Sequence, residues 1–160
     1  MRKIKKKFKK PTKPWDKERM GKESVLMKTF GLRRKREIWK AESILRSFRR
    51  RARDLAASRD KEQEKILLDK IYKMGLLGKN ANLDDILSLT IDNLLERRLQ
   101  TIVFKKEMAN TPKQARQFIT HGHIAVESKR IIYPSFIVTR ELEDKISYYG
   151  NSPIKIKKSK

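Results

Sequence analysis

The sequence predicts an α+β fold in which a basic, mostly helical N-terminal region precedes a small module of two helices and short antiparallel strands. Apolar residues recur at spacings of three and four along residues 34–57, the pattern of one face of a long helix. Typical N-cap residues precede several shorter apolar segments, and β-branched runs separated by polar turns occupy residues 123–149. We expect four segments, namely a basic extended arm (1–30), a helical region (31–95), a helix-hairpin module (96–150) and a basic C-terminal tail (151–160).

The charge of the chain limits its function more than any single motif does. The 160 residues include 42 Lys and Arg but only 19 Asp and Glu, so the net charge is +23 and the folded chain repels itself unless a polyanion supplies counter-charge. Nucleic acid and anionic membrane are the usual polyanions. No apolar run approaches the roughly 20 residues that span a bilayer, and the N-terminus lacks the apolar stretch of a secretory signal. We therefore expect a cytoplasmic protein that binds nucleic acid and not membrane.

The first 15 or so residues are rich in Lys and contain Pro11 and Pro14, with few large apolar side chains. Such a segment buries too little surface to fold alone, so we expect it to order only against a partner.

The predicted helix over residues 34–57 has one apolar stripe and one arginine-rich face. The stripe consists of Ile38, Ala41, Leu45, Phe48, Ala52 and Leu55. A charge run can simply be a solvated face, but solvated helices usually alternate sign and this one has few acids. We therefore predict that the arginines contact phosphates. The candidates in and just before this helix are Arg33, Arg34, Arg36, Arg46, Arg49, Arg50, Arg51 and Arg53.

Three further helices are predicted between residue 57 and Thr111. Residues 60–74 form one, with Asp60 as cap and Ile66, Leu67, Ile71 and Met74 facing inward. Asn82 caps a short helix over residues 83–88, whose Asp84 and Asp85 suit the positive end of the helix dipole better than a metal or acid-base site. Thr90 caps a longer helix over residues 91–104.

The helix that begins after Thr111, within the module, has the clearest start of any in the chain. Thr111, Pro112 and Gln114 together form a cap, a first-turn proline and a capping box, and Gly122 supplies the left-handed residue that ends the helix. Ala115, Phe118 and Ile119 are predicted to face inward. Strands are predicted over residues 123–126 and 130–133, and residues 136–138 and 145–149 are candidates to extend the sheet.

The run ERRLQTIVF...ANTPKQARQFITHGHIAVESKRIIYPSFIV, residues 96–138, resembles the small RNA-binding module named after ribosomal small-subunit protein four. The paired-arginine-leucine start, the threonine-capped helix with Ala-Arg, and the Gly-His-Ile hairpin carry the resemblance. This module also occurs in pseudouridine synthases, some tRNA synthetases and small stress proteins. The preceding LLGKNANLDDILSLTIDNLLERRLQT and the basic helical front resemble the small-subunit ribosomal protein four family itself, in its archaeal and eukaryotic-type branch.

The resemblance implies a structural protein that binds small-subunit (16S-type) ribosomal RNA directly and early in assembly of the subunit body. It also implies small-subunit ribosomal protein five as a neighbour and a role in translational accuracy. The RNA-facing residues carried over by position are Arg97, Arg98, Thr111, Lys113, Arg116, Gln117, His121, His123, Lys129 and Arg130. Where many members have Asn-Gly at the hairpin, this chain has Glu127-Ser128, which favours a longer or different turn.

Two other kinds of protein could carry the same RNA-binding module. An RNA-modifying enzyme needs a catalytic domain, for which the chain has no room. A stand-alone stress or translation factor that binds ribosomes transiently is the remaining alternative. Because the chain has no cysteine and a lone His121-x-His123 pair offers too few zinc ligands, we expect no metal, no cofactor and no small-molecule substrate. One histidine is expected near RNA and the other in local packing.

Overall fold

The computed structural model describes residues 8–150 and 152–153. These residues form eight helices and one three-stranded sheet, joined by turns and loops. The α+β class is therefore confirmed. No helix in these residues is long and apolar enough to cross a membrane. The helices are α1 (Lys17–Thr29), α2 (Lys35–Ser58), α3 (Lys61–Lys73), α4 (Leu83–Ser88), α5 (Ile91–Glu96), α6 (Leu99–Lys105), α7 (Pro112–Thr120) and α8 (Arg140–Glu143). The strands are β1 (Ile124–Val126), β2 (Lys129–Arg130) and β3 (Ile146–Tyr148).

Helix α1 corrects the expectation of an extended arm over residues 1–30. It begins after Asp16, whose carboxylate accepts a hydrogen bond from an amide of the first turn at 3.2 Å. The carboxylate of Glu23, buried on this helix, accepts a hydrogen bond from the indole of Trp39 on α2 at 2.9 Å. Capping and contacts with α2 therefore make helical a segment whose apolar pattern is weak. Residues 1–7 of the expected arm lie outside the described residues.

Helix α2 forms the centre of the first of two apolar cores. Its predicted stripe is confirmed, because five of the six stripe residues are buried and Leu55 packs against the same core. Helices α3, α4 and α5 cover this stripe, and each begins at the predicted cap. On α3, Leu67 and Ile71 are buried, whereas Ile66, expected to face inward, is 61% exposed. Successive residues lie about 100° apart around a helix, so Ile66 falls outside the line that packs against α2.

The helix predicted over residues 91–104 is interrupted between α5 and α6. The backbone of Arg98 is extended and forms an antiparallel bridge with Ile137. The amide of Leu99 donates to the carbonyl of Phe136 at 2.7 Å. Residues 136–138, which were candidates to extend the sheet, therefore pair with residues 97–99 instead. Local periodicity did not reveal the break because the pairing segment lies far along the chain.

The predicted start and end of α7 are both confirmed. The hydroxyl of Thr111 accepts a hydrogen bond from the amide of Gln114 at 3.2 Å, and Pro112 occupies the first turn. The predicted inward residues of the helix are buried. Gly122 follows with φ of +78°, the left-handed conformation that a residue with a side chain adopts only at a cost.

The sheet has the order β2-β1-β3, with both pairs antiparallel. Residues 145–149 therefore extend it as predicted, whereas the strand expected over residues 130–133 consists of Lys129–Arg130. Val126 pairs with Lys129, so Glu127 and Ser128 form a two-residue turn, and both have positive φ. The expectation of a longer turn is wrong. The Lys145 ammonium on the neighbouring segment donates to the Glu127 carboxylate, which stabilises the turn without glycine.

A second apolar core lies between α6, α7 and the sheet. The two cores meet at the buried amide of Gln100 on α6. Its nitrogen donates to the carbonyls of Phe30 and Gly31 at 3.0 Å, and to the carbonyl of Pro112 at 2.9 Å. Gly31 has φ of +59°, and a side chain there would lie 2.8 Å from the Pro112 ring. The end of α1 and the start of α7 thus touch, and the helical region packs directly on the module.

Candidate RNA interface

The outer side of α7 and the adjoining hairpin carry most of the predicted module contacts. Among the described residues, no carboxylate forms an ion pair with Lys113 or Arg130. Positive charge on this face is therefore available to an outside partner. The exposed members of the predicted set are Thr111, Lys113, Gln117, His121, Lys129 and Arg130.

Arg130 is held against the end of α7. Its Nη2 donates to the carbonyl of His121 at 3.0 Å. Its guanidinium lies over Gly122, where a Cβ would approach Nε to 1.9 Å. Gly122 thus suits the backbone angle and also leaves room for the guanidinium, which a larger residue would displace. The result is an arginine fixed in position on the hairpin, which suits bidentate contact with a phosphate.

The two histidines have different surroundings. The ring of His123 packs edge-on against Phe118 with centroids 6.2 Å apart, and its Nδ1 lies 3.0 Å from the Ser152 hydroxyl. His121 is exposed, and its ring stacks on that of His123 with an interplanar angle of 28°. The expected local packing of one ring is confirmed for His123. Within the described ranges, no group of three or more metal-binding side chains occurs.

Glu37 on α2 binds two arginines of the module. Its carboxylate lies 2.6 Å from Arg98 Nη2 and 2.8 Å from Arg116 Nη2. It also accepts the backbone amides of Arg33 and Arg34, at 3.2 and 3.4 Å. Burial alone would raise the pKa of Glu37, but hydrogen bonds and charges from the two arginines outweigh it and hold the pKa below its ordinary value.

This carboxylate changes the assignment of two predicted RNA contacts. Arg98 is only 6% exposed, because its guanidinium is engaged by Glu37 and helps to join α2 to the start of α6. Its predicted contact with RNA stays a prediction, and only the small part of the side chain that lines a groove beside α2 is open to a partner. Arg116 shares Glu37 but remains partly exposed.

Arg97 is likewise engaged within the protein. Its Nη1 forms an ion pair with Glu143 at 2.7 Å and its Nη2 donates to the carbonyl of Val138 at 3.0 Å. The guanidinium also lies against Gly75, where a Cβ would approach its central carbon to 2.7 Å. Arg97 therefore connects α8 with the turn after α3. Only 15% of its side chain remains exposed for the predicted contact with RNA.

The arginine-rich face of α2 is mostly exposed. Arg46 pairs with Glu42 at 2.8 Å, whereas Arg49 is half-buried and donates to the carbonyl of Leu89. Arg49 thus also holds the loop before α5. The exposed candidates on this face are Arg33, Arg34, Arg36, Arg46, Arg50, Arg51 and Arg53.

A groove connects this face with the module. It encloses about 410 Å³ between α2, α5 and the segment that leads to the Ile137 bridge. Its basic lining residues are Arg34, Arg36, Lys40, Arg98 and Arg116. The groove brings together arginines from both predicted surfaces. Lys40 was missed, because in the sequence it is a single lysine among apolar and acidic neighbours.

Two protein-family models match the chain, and together they cover nearly all of it. The model described as Ribosomal protein S4/S9 N-terminal domain matches residues 2–96, and the one described as S4 domain matches residues 97–144. The chain belongs to the Ribosomal protein S4 family. The recognised resemblance is thereby confirmed over both of its parts.

Relatives in archaea agree with this membership. A protein of Sulfolobus acidocaldarius named small ribosomal subunit protein uS4 is 52% identical over 158 residues, covering 96% of this chain and 90% of the relative. Proteins of the same name from Saccharolobus solfataricus and Ignicoccus hospitalis are 54% and 51% identical, and the matches cover 87% and 93% of those relatives. A structural protein of the small ribosomal subunit is therefore the supported interpretation, and the transient stress or translation factor is not favoured.

Proposed function

We propose that the chain acts in the small ribosomal subunit by binding 16S-type ribosomal RNA directly, through a surface that runs from α2 across the groove to α7 and the hairpin. The exposed, rigid cationic face of α7 and the hairpin is the observation that carries this proposal. Structured RNA is recognised largely through phosphates, 2′-hydroxyls and shape, so a fixed display of Arg and Lys is what such a binder needs.

The assignment of contacts follows exposure. Lys113, Gln117, His121, Lys129 and Arg130 form the module part of the surface, and the exposed arginines of α2 form the other part. Arg116 contributes at the groove, because its guanidinium binds Glu37 but remains partly exposed there. We also propose that the protein nucleates assembly of the subunit body and contributes to accuracy. Its proposed neighbour in the subunit is small-subunit ribosomal protein five. Its proposed location is the cytoplasm.

The RNA surface is tested by a titration of the protein with small-subunit ribosomal RNA at several salt concentrations. Replacing both Lys113 and Lys129 with Ala should weaken binding and reduce the slope of log K against log salt by about two, because each phosphate contact releases about one counterion. The matched control replaces Lys70 and Lys73, two exposed lysines of α3, and should leave the slope nearly unchanged. Equal slopes for the two double variants would refute the surface.

Residence in the subunit is a separate question, tested by sedimentation of a native lysate. Small subunits are separated by removing magnesium and then washed at high salt. Stoichiometric retention of the protein on the washed small subunit is expected, because many phosphate contacts act together. Release into the soluble fraction would contradict a structural role.

A further inference from the structure

The indole of Trp15, just before α1, is exposed to solvent. It is 87% exposed, the highest value among the large apolar side chains of the described residues. The other tryptophan, Trp39, is half-buried and donates its indole N–H to Glu23. The exposed indole leaves an aromatic face on the surface on which a partner can stack.

The backbone that carries Trp15 is fixed. The guanidinium of Arg19 donates to the carbonyls of Lys13 and Pro14 at 3.0 and 2.9 Å. The same guanidinium pairs with the buried carboxylate of Glu23 at 2.5 Å. The turn before α1 is thereby attached to the core of the protein. The backbone next to the exposed ring is therefore attached to α1.

Four exposed lysines and two exposed acids, Asp16 and Glu18, lie within residues 9–18, the segment that contains Trp15. Exposed lysines lie on both sides of it, and the adjacent carboxylate of Asp16 is engaged as the cap of α1. A protein partner that buried the indole would also have to neutralise these ammonium groups. An RNA strand supplies both partners at once, since an unpaired base stacks on an aromatic ring while the flanking phosphates meet cations. The lysines concerned are Lys9, Lys10, Lys13 and Lys17.

We propose that Trp15 is a stacking platform for one unpaired base of an RNA, with Lys13 and Lys17 contacting the neighbouring phosphates. This site is separate from the α7 surface, although it rests on the proposed binding of RNA. Stacking of a base on an aromatic side chain requires a π-face and not merely apolar area. The choice of substitution can therefore distinguish stacking from simple burial.

The test uses the full chain and protein-free small-subunit ribosomal RNA in equilibrium titrations. Trp15→Leu should weaken binding roughly 5- to 150-fold, the range found when base-stacking aromatics are removed. Trp15→Phe should retain most of the affinity. Because the side chain is exposed, both variants should melt like the wild type. The slope of log K against log salt should also be unchanged, since no phosphate contact is lost.

Three outcomes would overturn the proposal. Equal affinities of the wild type and Trp15→Leu show that the ring does not touch the RNA. Equal losses for the Leu and Phe variants show that stacking is not the interaction. Variants that bind free RNA normally but dissociate from assembled subunits place the ring against a protein. Failure of the wild type itself to bind RNA would instead refute the proposed function, so the two failures are distinguishable.

Discussion

Replacing Glu37 with Gln tests whether this one carboxylate joins the helical region to the module. The substitution keeps the shape of the side chain but removes the charge that faces Arg98 and Arg116 at 2.6 and 2.8 Å. Breaking a buried ion pair from one side costs about 3–5 kcal/mol, because the other charge is left without a partner. Gln keeps one acceptor and Arg116 is partly exposed, so we expect the free energy of unfolding to fall by roughly 2–4 kcal/mol.

The effect should depend on pH in a defined direction. The pKa of Glu37 is lowered in the folded protein relative to its ordinary value of 4.5, so its contribution to stability is complete above that value. The contribution is lost as the pH falls through the lowered pKa. At neutral pH the wild type should therefore exceed the variant in free energy of unfolding by the full amount of roughly 2–4 kcal/mol. This difference should shrink below about pH 4.5.

Thermal and urea unfolding, followed by circular dichroism, measure both effects. One kcal/mol corresponds to about 2–4 °C for a chain of this size, so a drop of roughly 4–16 °C is expected at neutral pH. Glu42→Gln is the matched control, because Glu42 lies on the same helix and its pair with Arg46 is largely exposed. That control should cost less than about 1 kcal/mol. If the two variants were equally stable, the Glu37 junction would not hold the halves together.

Three further predictions concern the cap, the glycine and the α2 arginines. Thr111→Ala should lower the free energy of unfolding by about 1 kcal/mol in urea titrations, and Thr111→Ser should restore it. Gly122→Ala should cost about 1–3 kcal/mol from its positive φ and from the clash with Arg130, and adding Arg130→Ala should recover the steric part in the same assay. Arg51→Ala should flatten the salt dependence of RNA binding at unchanged melting temperature, whereas Arg49→Ala should also lower the melting temperature, because Arg49 donates to the Leu89 carbonyl. Identical melting temperatures for the two would contradict that role.

Features with a local physical cause could be predicted from the sequence. The cap at Thr111 depends on residues within one helical turn, and Gly122 ends the helix through its own backbone freedom. The buried stripe of α2 follows from periodicity alone. The helix starts at Asp60, Asn82 and Thr90 have the same kind of cause.

Features that depend on residues far along the chain could not be predicted from the sequence. The break at Arg98 follows from pairing with Ile137, and the burial of the Arg98 side chain follows from a carboxylate on α2. Helix α1 was missed because its partners lie outside the segment: Glu23 binds Trp39 of the next helix, and Leu26 and Met27 pack against the first core. For the candidate site, residue types predicted which groups are cationic. Only the fold separates the arginines that face outward from those that connect the two halves.

The Glu37 junction also has a consequence for the order in which the chain is made. Glu37 is synthesised well before its partners, since Arg98 follows 61 residues later and Arg116 follows 79 residues later. N-terminal units generally fold first during synthesis. Until residues 98–116 are made, the first half lacks the two arginines that pair with Glu37. The carbonyls of Phe30 and Gly31 likewise lack the Gln100 amide that donates to them. Its final packing therefore follows the emergence of α7 from the translating ribosome.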